Sequence, residues 1–339
     1  MLRVGIVGCG NIFTMHATSA HHLPNAQIVG VCDIKKDRAD KAAQKYGCKA
    51  YYDYKEMICK DNIDVVHICV PHYLHSIISK YAIEAGVHVL CEKPMSIKLE
   101  DAIENVELAE KNNVKYGIIF QCRYNDSAQL VKSKLCDGTL GKIISARVVL
   151  TWCKNDEYYS LSDWKGTWDK EGGGVLIDQA IHSVDLANWF IDDEIESVQA
   201  HLSNRGHSIM EVDDTAEGFV RYKSGATLAF WAMNNYGCDE PIEIRLMCEN
   251  GKVTMDYDNA EIVLNSGERI SAQTTIDLDV VYENGKDYWG FQHIREIADF
   301  YDAVETDREP TVSGREALKI QKLICEIYKK GIEGFQKHK

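Results

Sequence analysis

Residues 2–13, LRVGIVGCGNIF, decide the fold of the first part of the chain. An apolar strand leads into two glycines, Gly8 and Gly10, and then into a helix. The first glycine allows a tight turn, and the second lets a pyrophosphate approach the N–H groups at a helix N-terminus. The stretch therefore predicts a dinucleotide-binding turn. Phe13 replaces the third glycine of the full fingerprint, which puts tight helix–strand packing in doubt.

The chain after this turn alternates apolar strands with amphipathic helices. Near-continuous apolar runs are typical of parallel strands that are covered on both faces. They occur at residues 26–33 (AQIVGVCD), 64–70 (DVVHICV), 86–93 (GVHVLCEK) and 114–121 (VKYGIIFQ). Two of the intervening helical segments end in glycine, as helix C-termini often do. We predict an α/β fold in which residues 1–122 form a Rossmann-type doubly wound parallel sheet.

The pattern changes near residue 142 to longer alternating strands with hairpin turns. One example is EGFVRYKSGATLAFWAM, which is expected to turn at Ser224 and Gly225. Helical spacing returns near residues 175–191, 290–306 and 314–336. These features predict that residues 123–339 form an α+β domain for substrate binding and oligomerisation, with a mostly antiparallel open sheet. Its final helix can pack back on the first domain.

Composition excludes several classes of partner. The 339 residues carry a formal net charge of −14, so there is no basic surplus to neutralise nucleic-acid phosphates. Apolar runs are far shorter than the roughly 20 residues of a membrane span. None of the 12 cysteines forms a C-x-x-C pair, so we interpret them as reduced thiols. Together with an opening strand in place of a signal peptide, this predicts a cytoplasmic protein.

A carboxylate ends the second predicted strand. Asp33 follows Gly10 by 23 residues and would accept hydrogen bonds from adenosine ribose hydroxyls. It would repel a 2′-phosphate, so NAD is favoured over NADP, although Lys35, Lys36 and Arg38 could soften that preference.

Loops beyond the carboxyl ends of later strands face the same crevice. The predicted cofactor contacts are Gly8, Gly10, Asn11, Ile12, Asp33, Pro71, His72, His75, Glu92, Lys93 and Gln121.

Residues 170–190, KEGGGVLIDQAIHSVDLANWF, place charge on a helix that otherwise has the composition of a core helix. Asp178, His182, Asp185 and Trp189 share one stripe, and the glycines suit a close backbone approach before it. In one interpretation Asp178 is a first-turn carboxylate favoured by the helix dipole, with His182 as its i+4 partner. In another, hydride transfer from an alcohol uses His182 as proton acceptor and Lys93 to steady the alkoxide.

Four stretches together resemble the Gfo/Idh/MocA oxidoreductases, a family named for glucose–fructose oxidoreductase and inositol dehydrogenase. They are GCGNIF with a following histidine, VCD, VPHYLHSIISKYAIEAGVHVLCEKP and GGGVLIDQAIHSVDLANW, and the likeness extends to residues 290–320. The resemblance implies an NAD(P)-dependent oxidoreductase acting on a sugar, polyol or glycoside. It places the family's catalytic lysine, aspartate and histidine on Lys93, Asp178 and His182. It also implies a homodimer or homotetramer formed through the second-domain sheet.

The loop at residues 155–174 is unusually aromatic. Aromatic faces pack against the apolar face of a sugar ring, and their polar edges can hydrogen-bond its hydroxyls. The alternative is that these rings seal a domain or subunit interface. His293 is added on the family resemblance, and the predicted substrate contacts are Lys93, Arg123, Tyr124, Trp152, Tyr158, Trp164, Trp168, Asp178, His182 and His293.

The predicted mechanism leaves one assignment open. His182 takes the hydroxyl proton, Asp178 orients it and Lys93 binds the reacting oxygen, but Lys93 could instead carry the proton. Two other classes compete with this interpretation. One is a metal-dependent lyase or hydrolase built on His72, His75, Asp178 and His182, although Lys93 would disfavour a cation and we predict no metal. The other is an NAD(H)-binding redox sensor without turnover.

Overall fold

The computed structural model describes residues 1–256, 258–275, 282 and 292–337, and it describes residues 336 and 337 by backbone alone. The strands are β1 (Leu2–Val7), β2 (Ala26–Cys32), β3 (Lys49–Tyr51), β4 (Val65–Ile68), β5 (His88–Cys91), β6 (Tyr116–Ile118), β7 (Ile143–Thr151), β8 (Ile195–Asn204), β9 (Thr215–Tyr222), β10 (Thr227–Met233), β11 (Glu243–Cys248), β12 (Gly251–Asp256), β13 (Asn259–Leu264), β14 (Arg269–Gln273) and β15 (Gln336–Lys337).

The α-helices are α1 (Phe13–His22), α2 (Lys36–Tyr46), α3 (Tyr54–Lys60), α4 (His72–Glu84), α5 (Leu99–Lys111), α6 (Asp126–Cys136), α7 (Asp156–Ser160), α8 (Ile181–Ile191), α9 (His293–Thr306) and α10 (Gly314–Gly331). A π-helical turn, Leu176–Ala180, runs directly into α8. Short 3₁₀ turns occupy Gln121–Tyr124 and Ile332–Gly334. In the described part of the chain, no helix is both long and apolar enough to cross a membrane.

The chain divides into two compact units. The first unit comprises residues 1–121 and 276–321, and the second comprises residues 122–275 and 322–339. The segment that contains α9 therefore belongs to the first unit. The functional boundary that the sequence suggests, between residues 122 and 123, stays a prediction.

The first unit is built on a six-stranded parallel sheet with the order β3-β2-β1-β4-β5-β6. This order reverses direction between β1 and β4, which is where ligands of doubly wound sheets bind. The predicted Rossmann-type sheet is confirmed. Phe13, in place of the third glycine, is buried in the core and meets Tyr46 edge-on at a centroid distance of 5.9 Å. The Phe13 ring therefore occupies the space between helix and sheet, where a glycine would let the two elements pack more closely.

The second unit is built on a nine-stranded sheet with the order β14-β13-β12-β11-β7-β10-β9-β8-β15. Strand β10 pairs parallel with β7, and β15 pairs parallel with β8, whereas the other pairs are antiparallel. The predicted hairpin joins β9 to β10, and its Gly225 has a φ of +91°, which L side chains rarely adopt. The predicted α+β domain with a mostly antiparallel sheet is confirmed.

The predicted helix boundaries need two corrections. The helix at 175–191 begins as the π-helical turn, and only residues from Ile181 onward are α-helical. The helix predicted at 314–336 ends at Gly331, where a Cβ would lie 2.5 Å from Leu202 Cγ. The chain then turns away and residues 336–337 pair with β8. Helix α9 is described from His293, and residues 290–291 of that prediction lie outside the described residues.

Candidate active site

The two glycines of the first turn serve different purposes. Gly8 has a φ of +96°, and a Cβ there would lie 2.2 Å from the carbonyl oxygen of Cys69. A side chain at Gly8 would therefore collide with the backbone that follows β4. A Cβ on Gly10 would meet nothing within 4 Å. The fold itself leaves this space open, as a pyrophosphate approaching the start of α1 would require.

Asp33 lies directly beside this turn. Its Oδ2 accepts a hydrogen bond from the Cys9 N–H at 2.9 Å, and its Oδ1 accepts one from the Lys35 N–H at 2.8 Å. The carboxylate is half-buried, and each oxygen retains a second lone pair that a ribose hydroxyl could use. Gln121 adds a further polar group, because its Oε1 is buried and makes no hydrogen bond within the described part of the chain. These residues fit an adenine dinucleotide.

The two histidines predicted near the nicotinamide are buried at the start of α4. His75 bridges two loops, with its Nδ1 2.6 Å from the Pro94 carbonyl oxygen and its Nε2 2.8 Å from that of Val70. Burial lowers the pKa of His75, and a neutral imidazole can donate only one of these hydrogen bonds. The His72 ring lies 5.7 Å away, centroid to centroid. The contact of both residues with the cofactor stays a prediction.

Lys93 follows β5 and is half-buried. Its backbone N–H donates to Glu92 Oε2 at 3.3 Å. The other oxygen of Glu92 lies 3.3 Å from His293 Nε2, so His293 is enclosed within the first unit. The predicted contact of His293 with substrate stays a prediction. Of the remaining predicted cofactor contacts, Asn11 is exposed, while Ile12 and Pro71 are half-buried.

Close approaches of Asp213 and Tyr328 explain the run of glycines in the second unit. A Cβ on Gly173 would lie 2.1 Å from Tyr328 Oη, and one on Gly174 would lie 1.9 Å from the Asp213 carbonyl oxygen. The Asp213 carboxylate accepts hydrogen bonds from the N–H groups of Gly174 at 2.8 Å and Leu176 at 3.2 Å. Burial raises the pKa of Asp213 to about 7, although these hydrogen bonds lower it. Asp213 thus fastens the start of the π-helical turn.

Asp178 lies on the π-helical turn, and three donors converge on one of its carboxylate oxygens. Its Oδ2 accepts hydrogen bonds from Lys165 Nζ at 2.6 Å, Gln179 Nε2 at 2.7 Å and Tyr158 Oη at 3.5 Å. An ammonium and two further donors stabilise the ionised carboxylate. His182 follows in the first turn of α8 and is buried. The sequence identified Asp178 and His182 but missed Lys165.

Lys165 is a mostly enclosed cation in the aromatic loop. Its Nζ lies 2.7 Å from Tyr158 Oη, 3.9 Å from Glu171 Oε1 and 5.1 Å from the centroid of the Trp164 ring. Burial lowers the pKa of Lys165, but attraction to Asp178, Tyr158 and Glu171 outweighs it and raises the pKa overall. The side chain is therefore charged, with aromatic rings packed around it.

The same cluster favours the charged form of Lys165 but the neutral form of Glu171. Burial, followed by the negative charge of Asp178, raises the pKa of Glu171 to about 8, although Lys165 opposes the shift. Burial and Asp178 also raise the pKa of Tyr158 to about 12. Asp178 is thus the carboxylate that contacts the ammonium directly, while the Glu171 carboxyl has a raised pKa. Sequence reasoning assigned no role to Glu171.

The polar residues that the sequence places on one stripe of the π-helical turn and α8 form two separate groups. Asp178 faces Lys165, whereas Asp185 forms a buried pair with Arg123, through Nε at 2.7 Å and Nη2 at 2.6 Å. The Arg123 guanidinium also lies 5.2 Å from the centroid of the Trp189 ring. A buried two-point ion pair of this kind organises packing. Asp185 and Trp189 therefore contact Arg123 rather than Lys165, and substrate binding by Arg123 stays a prediction.

The predicted aromatic contacts also differ from one another. Trp168 donates its indole N–H to the Glu211 carbonyl oxygen at 3.1 Å and meets Tyr328 and Phe335 edge-on, so it packs within the second unit. Trp152 is buried just after β7. Tyr124 is half-buried in a 3₁₀ turn. Only Tyr158 and Trp164 accompany Lys165, and substrate binding by any of these rings stays a prediction.

Two family models match the chain. Residues 2–120 match the oxidoreductase family with an NAD-binding Rossmann fold, and residues 128–254 match the GFO/IDH/MocA C-terminal domain. The chain belongs to the Gfo/Idh/MocA oxidoreductase family. The resemblance seen in the sequence is confirmed, and the family comprises NAD-dependent sugar and polyol oxidoreductases.

Relatives of this Gfo/Idh/MocA protein align over nearly its whole length. It is 27% identical to myo-inositol 2-dehydrogenase of Thermotoga maritima, over 98% of this chain and 96% of the relative. It is 25% identical to D-glucoside 3-dehydrogenase of Escherichia coli, over 98% and 96%. The solved WlbA dehydrogenase of Bordetella pertussis, in complex with NADH and UDP-GlcNAcA, has 27% identity and a TM-score of 0.83, covering 98% of this chain and 97% of that one.

The family match decides between the classes that the sequence left open. This Gfo/Idh/MocA protein is an NAD-dependent dehydrogenase acting on CH–OH groups, and its cofactor is NAD. The dinucleotide turn at Gly8 and Gly10 and the carboxylate of Asp33 agree with that cofactor. The metal-dependent lyase and the redox sensor without turnover are not favoured.

Proposed function

We propose that this dehydrogenase oxidises a secondary alcohol of a sugar, polyol or glycoside and, in reverse, reduces the ketone. The observation that supports this most directly is the Asp178 carboxylate, which is held by the Lys165 ammonium at 2.6 Å and precedes a buried histidine on the next helix. We infer that this carboxylate acts on His182, because a negative charge near an imidazole favours the protonated ring that forms when it accepts a proton. The names of the relatives agree with this substrate class.

The proposed roles of the side chains follow from their charges. His182 takes the hydroxyl proton of the alcohol, and Asp178 stabilises the imidazolium that results. The Lys93 ammonium binds the reacting oxygen and stabilises its developing negative charge. When bound, NAD supplies the hydride acceptor. Exchange of roles between Lys93 and His182 remains the competing assignment.

Glycosides are included in the proposal because of the aromatic loop. Tyr158 and Trp164 are half-buried, and their rings flank the Lys165 ammonium. Rings that are partly exposed can pack against the apolar face of a sugar and of its aglycone. We expect an aryl glycoside to have a higher kcat/KM than the free sugar. Equal values for the two would contradict this part of the proposal.

The proposal also covers assembly and location. We infer a cytoplasmic homodimer or homotetramer that forms through the nine-stranded sheet, with the functional boundary between residues 122 and 123. Exposed apolar side chains on three strands of that sheet support it, because a second copy packed on the sheet would cover them: Ile144, Phe219 and Met247 are 53%, 37% and 51% exposed. Light scattering of the purified protein tests the assembly, and a monomer at every concentration would contradict it.

The first experiment is to follow nicotinamide absorbance with NAD and then NADP against polyols, aldoses, sugar acids and glycosides. Turnover of one substrate class with NAD supports the proposal. The variants His182→Ala and Lys93→Ala are then compared with wild type, and an NADH titration of each serves as the control for an intact cofactor site. Large losses of kcat are expected in both variants, with unchanged NADH affinity in His182→Ala and retained NADH binding in Lys93→Ala, whose lysine is itself a predicted cofactor contact. Normal turnover in either variant would refute the assigned roles.

A further inference from the structure

The first unit contains a buried cluster whose histidines take no part in the proposed reaction. It comprises His16 on α1, His67 on β4, Glu92 after β5, and His293 and Tyr301 on α9. His16 Nε2 lies 2.9 Å from Glu92 Oε1, and His293 Nε2 lies 3.3 Å from that same oxygen. Side-chain exposure is 0% for His16, 8% for Glu92 and 1% for His293. Two imidazoles from distant parts of the chain therefore converge on one buried carboxylate.

The carboxylate at the centre of the cluster requires a compensating positive charge. Glu92 is buried, and its Oε1 lies within hydrogen-bond distance of two imidazole nitrogens. An ionised carboxylate in the interior is costly unless a cation pairs with it. Neutral imidazoles supply dipoles but no net charge. Either a protonated imidazole or a bound metal ion must provide the charge.

The positions of the three ligand atoms suit a metal ion. One nitrogen from each histidine and one oxygen from Glu92 all lie within 4.8 Å of one another. A tetrahedral zinc ion with bonds of about 2.0–2.1 Å separates its ligand atoms by roughly 3.4 Å. The distances from Glu92 Oε1 to the two histidine nitrogens, 2.9 Å and 3.3 Å, are close to that spacing. Small side-chain movements would therefore complete the coordination.

A second layer of hydrogen bonds supports one of these ligands. His16 Nδ1 lies 2.9 Å from His67 Nδ1, and His67 Nε2 lies 2.9 Å from Tyr301 Oη. A neutral His67 can accept from His16 at its Nδ1 while its Nε2–H donates to the Tyr301 hydroxyl oxygen. Metal-bound histidines almost always donate their other N–H in this manner, which leaves the coordinating nitrogen as a lone pair.

We propose that His16, Glu92 and His293 form a divalent metal site, for which Zn²⁺ is the best-fitting ion. Two imidazole nitrogens and one carboxylate oxygen are a ligand set that zinc accepts, and a water molecule would complete four-coordination. The ion would fasten α9, which comes from late in the chain, to α1 and to the end of β5. The proposed site is independent of the assignment of catalytic groups in the dehydrogenase.

The same distances permit a metal-free state. If Tyr301 donates to His67, His67 to His16 and His16 to Glu92, every hydrogen bond reverses, and an additional proton on one imidazole then supplies the positive charge in place of a metal ion. The test is metal analysis of the untagged full-length protein by mass spectrometry after exhaustive dialysis, followed by Co²⁺ substitution of the chelator-treated protein. We expect about one zinc per chain, ligand-field absorption from Co²⁺, and a melting temperature that falls with chelator and recovers with zinc. Protein that binds neither ion would overturn the proposal.

Variants locate the site. His16→Gln and His293→Gln are expected to abolish stoichiometric zinc binding, whereas His22→Gln, an exposed position on the same helix, is the matched control and should keep it. His67→Phe retains all three ligands and is expected to weaken zinc affinity by roughly 10- to 100-fold. Zinc that persists unchanged in both ligand variants would place the metal elsewhere and overturn the proposal. If those variants do not fold, the cobalt spectrum and zinc content of the wild type still decide.

Discussion

Replacing Lys165 with methionine should destabilise the second unit. Lys165 Nζ lies 2.6 Å from Asp178 Oδ2, and the two side chains are only 17% and 11% exposed. Removing one partner of a buried ion pair costs about 3–5 kcal/mol because it leaves the other charge uncompensated. Gln179 and Tyr158 still donate to the same oxygen, so we expect a loss of about 3 kcal/mol, at the lower end of that range. Methionine retains most of the apolar stem of lysine and leaves little cavity.

The destabilisation should depend on pH. Without the ammonium, the buried carboxyl groups of Asp178 and Glu171 have no nearby cation to favour ionisation, so the folded variant binds protons that the unfolded chain releases. A folded state that holds extra protons loses stability as the pH rises. Wild type already has some of this behaviour, since the pKa of Glu171 is raised to about 8. The difference between wild type and Lys165→Met should therefore grow as the pH rises from 5 to 8.

Urea unfolding followed by circular dichroism at several pH values measures both effects. Lys170→Met is the matched control, because Lys170 lies in the same loop. Its Nζ donates to the exposed carbonyl oxygen of Asp163 at 2.9 Å, which is a backbone oxygen and not a buried carboxylate. The control should change the free energy of unfolding by no more than about 0.5 kcal/mol. Equal losses in the two variants, or a loss for Lys165→Met that is independent of pH, would refute the buried ion pair.

Three further tests, with five substitutions between them, examine other parts of the structure. Gly10→Ala should leave the melting temperature unchanged and weaken NADH binding, whereas Gly8→Ala should lower the melting temperature; thermal unfolding and an NADH titration separate the two. Glu171→Gln should flatten the pH dependence of stability, since the wild-type carboxyl loses its contribution between pH 4.5 and its pKa of about 8; melting temperatures across that interval check it. Gly173→Ala should destabilise by more than about 1 kcal/mol through its clash with a tyrosine hydroxyl, and Gly237→Ala, in open space, should not; urea unfolding compares them.

Much of the fold was predictable because its signals are local. A parallel strand covered on both faces needs an unbroken apolar run, and the strands around β1 have one. The hairpin at Gly225 needs a residue that tolerates positive φ, and the sequence places glycine there. Strand β3 has only three residues, too few for a periodic pattern. The π-helical turn had no sequence signal, because it depends on Asp213, in the loop before β9, accepting hydrogen bonds from the N–H groups at the helix start.

At the candidate site, the sequence pattern missed one residue that a general physical rule could have identified. Periodicity along a helix relates a residue only to its neighbours one turn away, so it paired Asp178 with His182 and could not reveal Lys165, thirteen residues earlier. A general rule was nevertheless available: a carboxylate on a helix of core composition must find a cation if it is to stay ionised. The loop before the helix offers two lysines, and Lys165 is the one that follows a tryptophan directly. Aromatic neighbours shield a cation from water, which favours Lys165 over Lys170. The same rule, applied to the buried carboxylate of Glu92, is what points to a cation among the histidines of the first unit.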